Sequence, residues 1–134
     1  MSESNKQVVQ RGYEARNAGR IYDWMDTLDP NIEWDLSAYP VEGFPKHGKG
    51  RKEFVAGITQ YWSVWNDYSQ NVKEMLDTGD RVVVVLSEHA RERNSDADVQ
   101  REIASVWTVE NGRRVRFQAF GSREEAMRAA GIKT

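Results

Sequence analysis

The sequence predicts an α+β fold: helices first, then a run of antiparallel strands forming a curved sheet around them. Three observations carry this. Apolar residues recur at helical spacing at Val8, Val9, Gly12 and Tyr13, and again at Ile21, Trp24, Met25 and Leu28. Between Asp80 and Arg91 lie five consecutive apolar residues, Val82 to Leu86, four of them β-branched valines. Turn clusters at Asp77-Thr78-Gly79-Asp80, Asn94 to Asp98 and Asn111-Gly112 then cut the second half of the chain into hairpin-sized strands.

Taken in order, Ser4 and Gln7 have capping-box spacing, and the first helix they open ends at Gly19 as its C′ residue. The second helix is predicted to run from Ile21 through Leu28 and to end at Asp29-Pro30. Ile32, Trp34 and Leu36 alternate with Glu33, Asp35 and Ser37, which predicts a half-buried strand. Residues 38 to 50, with Pro40, Gly43, Pro45, Gly48 and Gly50, read as a loop that could lie over a cavity. Phe54, Ile58, Tyr61, Trp62 and Trp65 predict a third helix of about four turns, broken at Asn66-Asp67. Strands then follow at Tyr68 to Leu76, the valine run to Arg93, Val99 to Glu110 and Arg113 to Phe120. Ser122 and Glu125 cap a short last helix that stops at Gly131.

With 134 residues the chain is expected to form one domain, 1–134, with a core of its own. A net charge of −2 leaves no broad basic field for nucleic acid or an anionic membrane. The lack of cysteine excludes disulfides, zinc–thiolate sites and thiol nucleophiles. His47 and His89, the only histidines, limit imidazole metal sites, so neither metal nor cofactor is expected. Without a signal-peptide pattern or a transmembrane run, the expected location is cytoplasmic. Five Trp, five Tyr and four Phe are a supply of pocket or interface walls.

The turns allow the sheet rows to be predicted. A two-residue turn at Asn111-Gly112 sets Trp107 opposite Arg116, Ser105 opposite Gln118 and Ile103 opposite Phe120. A turn centred near Asp96 sets Ser87 opposite Ser105, His89 opposite Ile103 and Arg91 opposite Arg101. One face then carries a polar row of Ser87, Ser105 and Gln118 beside His89, Ile103 and Phe120, with Trp107 stacked on Arg116. A bulge would shift these rows by one and move each residue to the other face. The other face, with Val84, Leu86, Glu88, Ala104, Val106, Thr108, Phe117 and Ala119, is also partly apolar. Helices can cover one face; the second predicts a further cover, a second copy of the chain, and so a homodimer through the sheet.

Several stretches carry a family resemblance: Asn17-Ala18-Gly19, Leu28-Asp29-Pro30-Asn31-Ile32-Glu33-Trp34, Asp77-Thr78-Gly79-Asp80-Arg81-Val82-Val83-Val84, Val106-Trp107-Thr108-Val109-Glu110-Asn111-Gly112, and Ser122-Arg123-Glu124-Glu125-Ala126-Met127-Arg128-Ala129-Ala130-Gly131. In this order the chain resembles SnoaL-like proteins of the NTF2-like superfamily over nearly its whole length. The resemblance implies a cone, a strongly bent antiparallel sheet closed by helices around a deep apolar pocket, usually dimeric. That superfamily hosts ketosteroid isomerases, polyketide cyclases, dehydratases, epoxide hydrolases and many non-enzymes, so the fold does not give the activity. The isomerase base position falls at Leu36, with Asp35 one step off. The isomerase tyrosine falls at Gly12, with Tyr13 one step off, and the oxyanion-hole Asp falls at Ser105. The cyclase carboxylate also lands near Ser105, and the Asp–Arg–Asp set of epoxide hydrolases has no match on the inward rows.

His89 is therefore the expected acid/base group, because imidazole titrates near neutral pH; a purely lining histidine is the plainer alternative. The expected pocket lining is Tyr13, Arg16, Leu36, Trp62, Ser87, Ile103, Ser105, Trp107, Gln118 and Phe120. Arg16 lies on the apolar stripe of the first helix and reads either as a snorkelling edge residue or as a guanidinium aimed into the cavity. Ser87 and His89 lack an orienting carboxylate and do not make a nucleophilic dyad. The expected ligand is a small, largely apolar oxygenated molecule, met either by cofactor-free acid/base chemistry or by binding alone; a dimerisation module is the third reading.

Overall fold

The structure, a computed structural model, describes residues 4–39 and 44–132. Helix α1 (Asn5–Asn17) opens on a complete capping box between Ser4 and Gln7 and closes at Ala18, with Gly19 at φ 76°. Helix α2 (Ile21–Asp26) ends earlier than its apolar spacing predicts. The hydroxyl of Thr27 caps it by donating to the Trp24 carbonyl, and the chain is already extended at Leu28, where strand β1 (Leu28–Asp35) begins. Pro30 explains this: it disfavours helical backbone at Asp29 and supplies no amide to the next turn.

A short strand, β2 (His47–Lys49), lies in the segment read as loop and pairs with β1. Gly48 sits opposite Trp34, where a Cβ would collide with the indole, so only glycine fits. Pro40 and Gly43 of that segment lie outside the described residues. Helix α3 (Arg51–Ser63) gives way to strand β3 (Trp65–Asp77), so Trp65 belongs to the sheet and not to the helix. Strands β4 (Arg81–Glu92), β5 (Asp98–Glu110) and β6 (Arg113–Phe120) precede helix α4 (Arg123–Ala129). Asn111 and Gly112 have φ 52° and 76°, the left-handed pair their hairpin turn requires.

The bent six-stranded sheet has the order β2-β1-β6-β5-β4-β3. Its pairings are antiparallel except that of β1 with β6, which is parallel and departs from the all-antiparallel expectation. Register irregularities interrupt β3 and the β5–β6 pair, where bulges let a sheet curve. Helices α1 to α3 lie on the concave side. The main core there joins Val8, Val9, Trp24, Leu28, Ile32, Phe54, Val82, Val84 and Trp107.

The rows differ from the predicted ones. Ser105 faces Val84, Ile103 faces Leu86, Arg101 faces Glu88 and Gln100 faces His89. The turn is centred between Asn94 and Ser95 instead of near Asp96, and this odd slip exchanges the two faces of β4 relative to β5. On the other side of β5, the register shifts after Thr108, so that Ser105 faces Ala119 and Trp107 faces Phe117. Gln118 and Phe120 thereby turn to the outer face. Arg116 lies opposite Thr108, with its guanidinium 3.7 Å from Asp35, and does not stack on Trp107. Arg91 faces Asp98 and pairs with Asp67 and Asp96, which relieves the expected Arg91–Arg101 juxtaposition.

The outer face is apolar at Val83, Val85, Ala104, Val106 and Phe120, and α4 packs Ala126 and Ala130 onto it. The chain thus covers its own second face, and the argument from an uncovered face to a homodimer loses its premise. Ala126 is fully buried in this contact. Ala126→Asp would bury an unpaired charge there and is expected to cost about 3 kcal/mol or more in urea unfolding. A change below about 1 kcal/mol would contradict the docking of α4.

Candidate functional site

The concave face and the helices enclose a cavity of about 110 Å³, measured as the room available to water centres. Since one water needs roughly 10–15 Å³ by this measure, there is space for a molecule of one or two rings. Its walls are mostly aromatic. Phe54 makes edge contacts with Trp107 and Phe117, whose rings lie 4.5 Å apart, and Trp24 packs on Trp62 at 5.5 Å. Two polar groups interrupt this lining.

The first is centred on Glu88. The β4 register turns Glu88 inward with Val84 and Leu86, and it is only 5% exposed. A carboxylate so buried must be partnered. It accepts hydrogen bonds from the Tyr61 hydroxyl, 3.2 Å from each oxygen, from the Tyr68 hydroxyl, and from Arg101 Nε at 3.0 Å. Arg101 also donates to the Tyr61 oxygen, and Gln70 Nε2 donates to the Tyr68 oxygen at 3.0 Å. Strand pairing supplies Arg101 directly opposite Glu88, α3 supplies Tyr61, and β3 supplies Tyr68. Burial, reinforced by the charge of Glu88, pushes both phenols well above the ordinary tyrosine range, so they remain donors at neutral pH.

The second group lies along α1. Tyr13 accepts a hydrogen bond from Trp107 Nε1 at 3.1 Å, and burial raises its phenol as well. Arg16 lays its guanidinium 3.7 Å over the Trp62 ring; its Nε is buried without a hydrogen-bond partner, and burial lowers its pKa. Arg114, 1% exposed, stacks 4.2 Å over Trp107 and donates to the Thr27 hydroxyl from Nε at 3.0 Å and from Nη2. Burial brings Arg114 down to about 10. A Cβ on Gly12 would lie 2.7 Å from Arg114 Nη2, so the absence of a side chain at Gly12 makes room for the guanidinium. Ser105 Oγ is buried with no partner at full hydrogen-bond geometry, though it lies close enough to the Tyr13 hydroxyl to offset part of the rise that burial imposes on that phenol.

Of the residues expected to line the pocket, Tyr13, Arg16, Leu36, Trp62, Ile103, Ser105 and Trp107 do so. Ser87, His89, Gln118 and Phe120 do not, because the two register slips turn them outward. The His89 side chain is 52% exposed, with Nε2 3.9 Å from Asp98, so it stands away from the cavity as a surface residue. Asp35 also lies off the cavity, bonded to Ser37 and near His47 and Arg116. The polar residues that sequence reasoning missed are Tyr39, Tyr61, Tyr68, Gln70, Glu88, Arg101 and Arg114. Glu88 had a signal: it continues the even-numbered apolar positions Val84 and Leu86. Arg114 had none, since beside Arg113 it reads as a hairpin-end surface charge.

Among the described residues, no three His, Cys, Asp or Glu side chains gather to hold a metal ion, and no helix is long and apolar enough to cross a membrane. Residues 9–117 match the SnoaL-like domain family. The chain belongs to that family. Solved structures of the same fold include an NTF2-like protein of unknown function from Burkholderia pseudomallei K96243, 23% identical, covering 95% of this chain and 97% of that one with a TM-score of 0.78. Another NTF2-like protein, from Burkholderia thailandensis E264, is 24% identical and covers 98% of this chain and 100% of that one, with a TM-score of 0.77. IdmH, a candidate polyketide cyclase from Streptomyces antibioticus, is 16% identical and covers 93% and 96%, with a TM-score of 0.72. A comparison with curated protein sequences finds no match.

In this SnoaL-like chain three raised phenols, Tyr13, Tyr61 and Tyr68, have a consequence at alkaline pH. Unfolded tyrosine ionises near pH 10, whereas these three hold their protons longer in the folded state. Their contribution to stability is complete below about pH 10 and is lost as pH rises toward the folded values. Absorbance of native protein at about pH 11 is expected to show only part of the tyrosinate signal of its five tyrosines, with denaturant releasing the rest. Full ionisation in the native state would contradict the described burial.

Proposed function

We propose that the cavity binds a small, largely apolar, oxygenated molecule and that Glu88 moves a proton on it without a cofactor, in chemistry of the cyclase, isomerase or dehydratase type. The observation that carries this reading is that Glu88 is the one carboxylate among the described residues lining a largely apolar, aromatic-rich cavity. A carboxylate in such a place can take a proton from the carbon next to a carbonyl and return it elsewhere on the same molecule. The negative charge that then develops on the carbonyl oxygen would meet donors fixed in advance, among them the Ser105 hydroxyl and the guanidinium of Arg16. The candidate-cyclase name of IdmH, a structure of the same fold, is consistent with this class.

A second reading, binding without catalysis, also has an observation in its favour. Glu88 already accepts bonds from Tyr61, Tyr68 and Arg101, which is what a buried structural charge requires. Deuterium exchange into 2-tetralone, an enolisable aromatic ketone, separates the two. Wild-type protein in heavy water is expected to accelerate exchange at the α-carbon over buffer, and Glu88→Gln to lower that acceleration by about 100-fold or more. If the ketone raises the melting temperature of the protein but exchanges no faster than in buffer, binding without catalysis is the correct reading.

A further inference from the structure

The charges on the cavity wall do not balance. Among the described lining residues, Glu88 carries the only negative charge, while Arg16, Arg101 and Arg114 carry positive ones. Arg101 is taken up by Glu88. The described hydrogen-bond partner of Arg114 is the neutral Thr27 hydroxyl, and Arg16 Nε has none. Neither Arg16 nor Arg114 has a carboxylate within ion-pair distance among the described residues. Arg114 Nη2 closely approaches Gly12, and Arg16 lies four residues further along the same side of α1. Each lies over a tryptophan ring, Arg16 over Trp62 and Arg114 over Trp107. A guanidinium over an indole still has N–H groups for hydrogen bonds: Arg114 gives Nε and Nη2 to Thr27 and keeps Nη1, and Arg16 Nε has no partner.

Arg114 is buried and Arg16 half-buried, and a cation so placed without a counter-charge is costly unless something supplies the missing charge. We propose that the ligand supplies it: the molecule bound here is an aromatic acid, whose carboxylate is held by the edges of Arg16 and Arg114 while its ring lies among Trp62, Trp107 and Phe54. This rests on the reading of the cavity as a binding site and adds the chemical class of its occupant. Planar guanidiniums matched to a carboxylate give the short, directional, charge-assisted bonds that select an acid over its amide. Glu88, neutralised by Arg101, leaves the remainder of the cavity free of net negative charge that would repel such a ligand.

The test compares two probes of the same shape, 2-naphthoate and 2-naphthamide, by calorimetric titration at neutral pH. The acid is expected to bind about tenfold tighter or better. Arg16→Gln is expected to remove most of that preference, and Arg16→Lys, which keeps the charge, to restore part of it. Arg114→Gln is expected to act like Arg16→Gln, and is to be read only in protein whose thermal unfolding remains cooperative. Equal affinity for acid and amide would overturn the inference while leaving the cavity as a binding site. Retention of the full acid preference in Arg16→Gln would overturn it too. Failure of both probes to bind or to raise the melting temperature would count against the binding-site reading itself, and against the inference with it.

Discussion

The pairing of Val84 with Ser105 governs what the cavity contains. Because strand residues alternate, fixing this one pair sends Val84, Leu86 and Glu88 to the concave side and Val83, Val85, Ser87 and His89 to the convex side. The inward set begins as core and ends in a carboxylate, so the same strand supplies the apolar floor and the polar wall. The pair also places Arg101 opposite Glu88, which gives the buried charge its partner within the same hairpin. Tyr61 from α3 and Tyr68 from β3 donate to that carboxylate, and Gln70 from β3 donates in turn to Tyr68.

The opposite wall follows a different rule. On α1 the sequence Gly12-Tyr13 combines a missing side chain, which admits Arg114, with a large one that reaches Trp107. Arg16 follows on the same side of the helix. The two guanidiniums lie over indole rings and have no carboxylate partner among the described residues, Arg114 fully buried and Arg16 half-buried. Such an arrangement is complementary to a negative oxygen. The two walls therefore have distinct chemistry, a neutralised carboxylate cluster on one side and, beside α1, two cations without carboxylate partners among the described residues.

The element order and most boundaries were legible in the sequence, because caps, turn residues and hydrophobic period all act locally. Ser4, Gly19, Asn111-Gly112 and Gly131 each mark their ends correctly. The α2 and α3 ends were overrun because Leu28 and Trp65 fit the helical stripe, yet each is already in a strand. Register was not legible, since it depends on where a turn is centred and on a bulge near Thr108, neither of which has a strong residue signature. That loss decided the site. His89 was favoured for its chemistry, but a slip of odd length carried it to the surface and brought Glu88 inside. Family resemblance gave the fold and could not repair the register, because its carboxylate positions fall on Leu36 and Ser105 in this chain.

Which face of β4 meets the cavity can be measured directly, because the chain contains no cysteine and single thiols can be introduced cleanly. The measurement is the rate of thiol labelling in native Leu86→Cys and His89→Cys. The account expects His89→Cys to react nearly as fast as a free thiol and Leu86→Cys to be protected by about a hundredfold or more, until the protein unfolds. Fast labelling at Leu86→Cys together with protection at His89→Cys would contradict the register, and with it the assignment of Glu88 to the cavity.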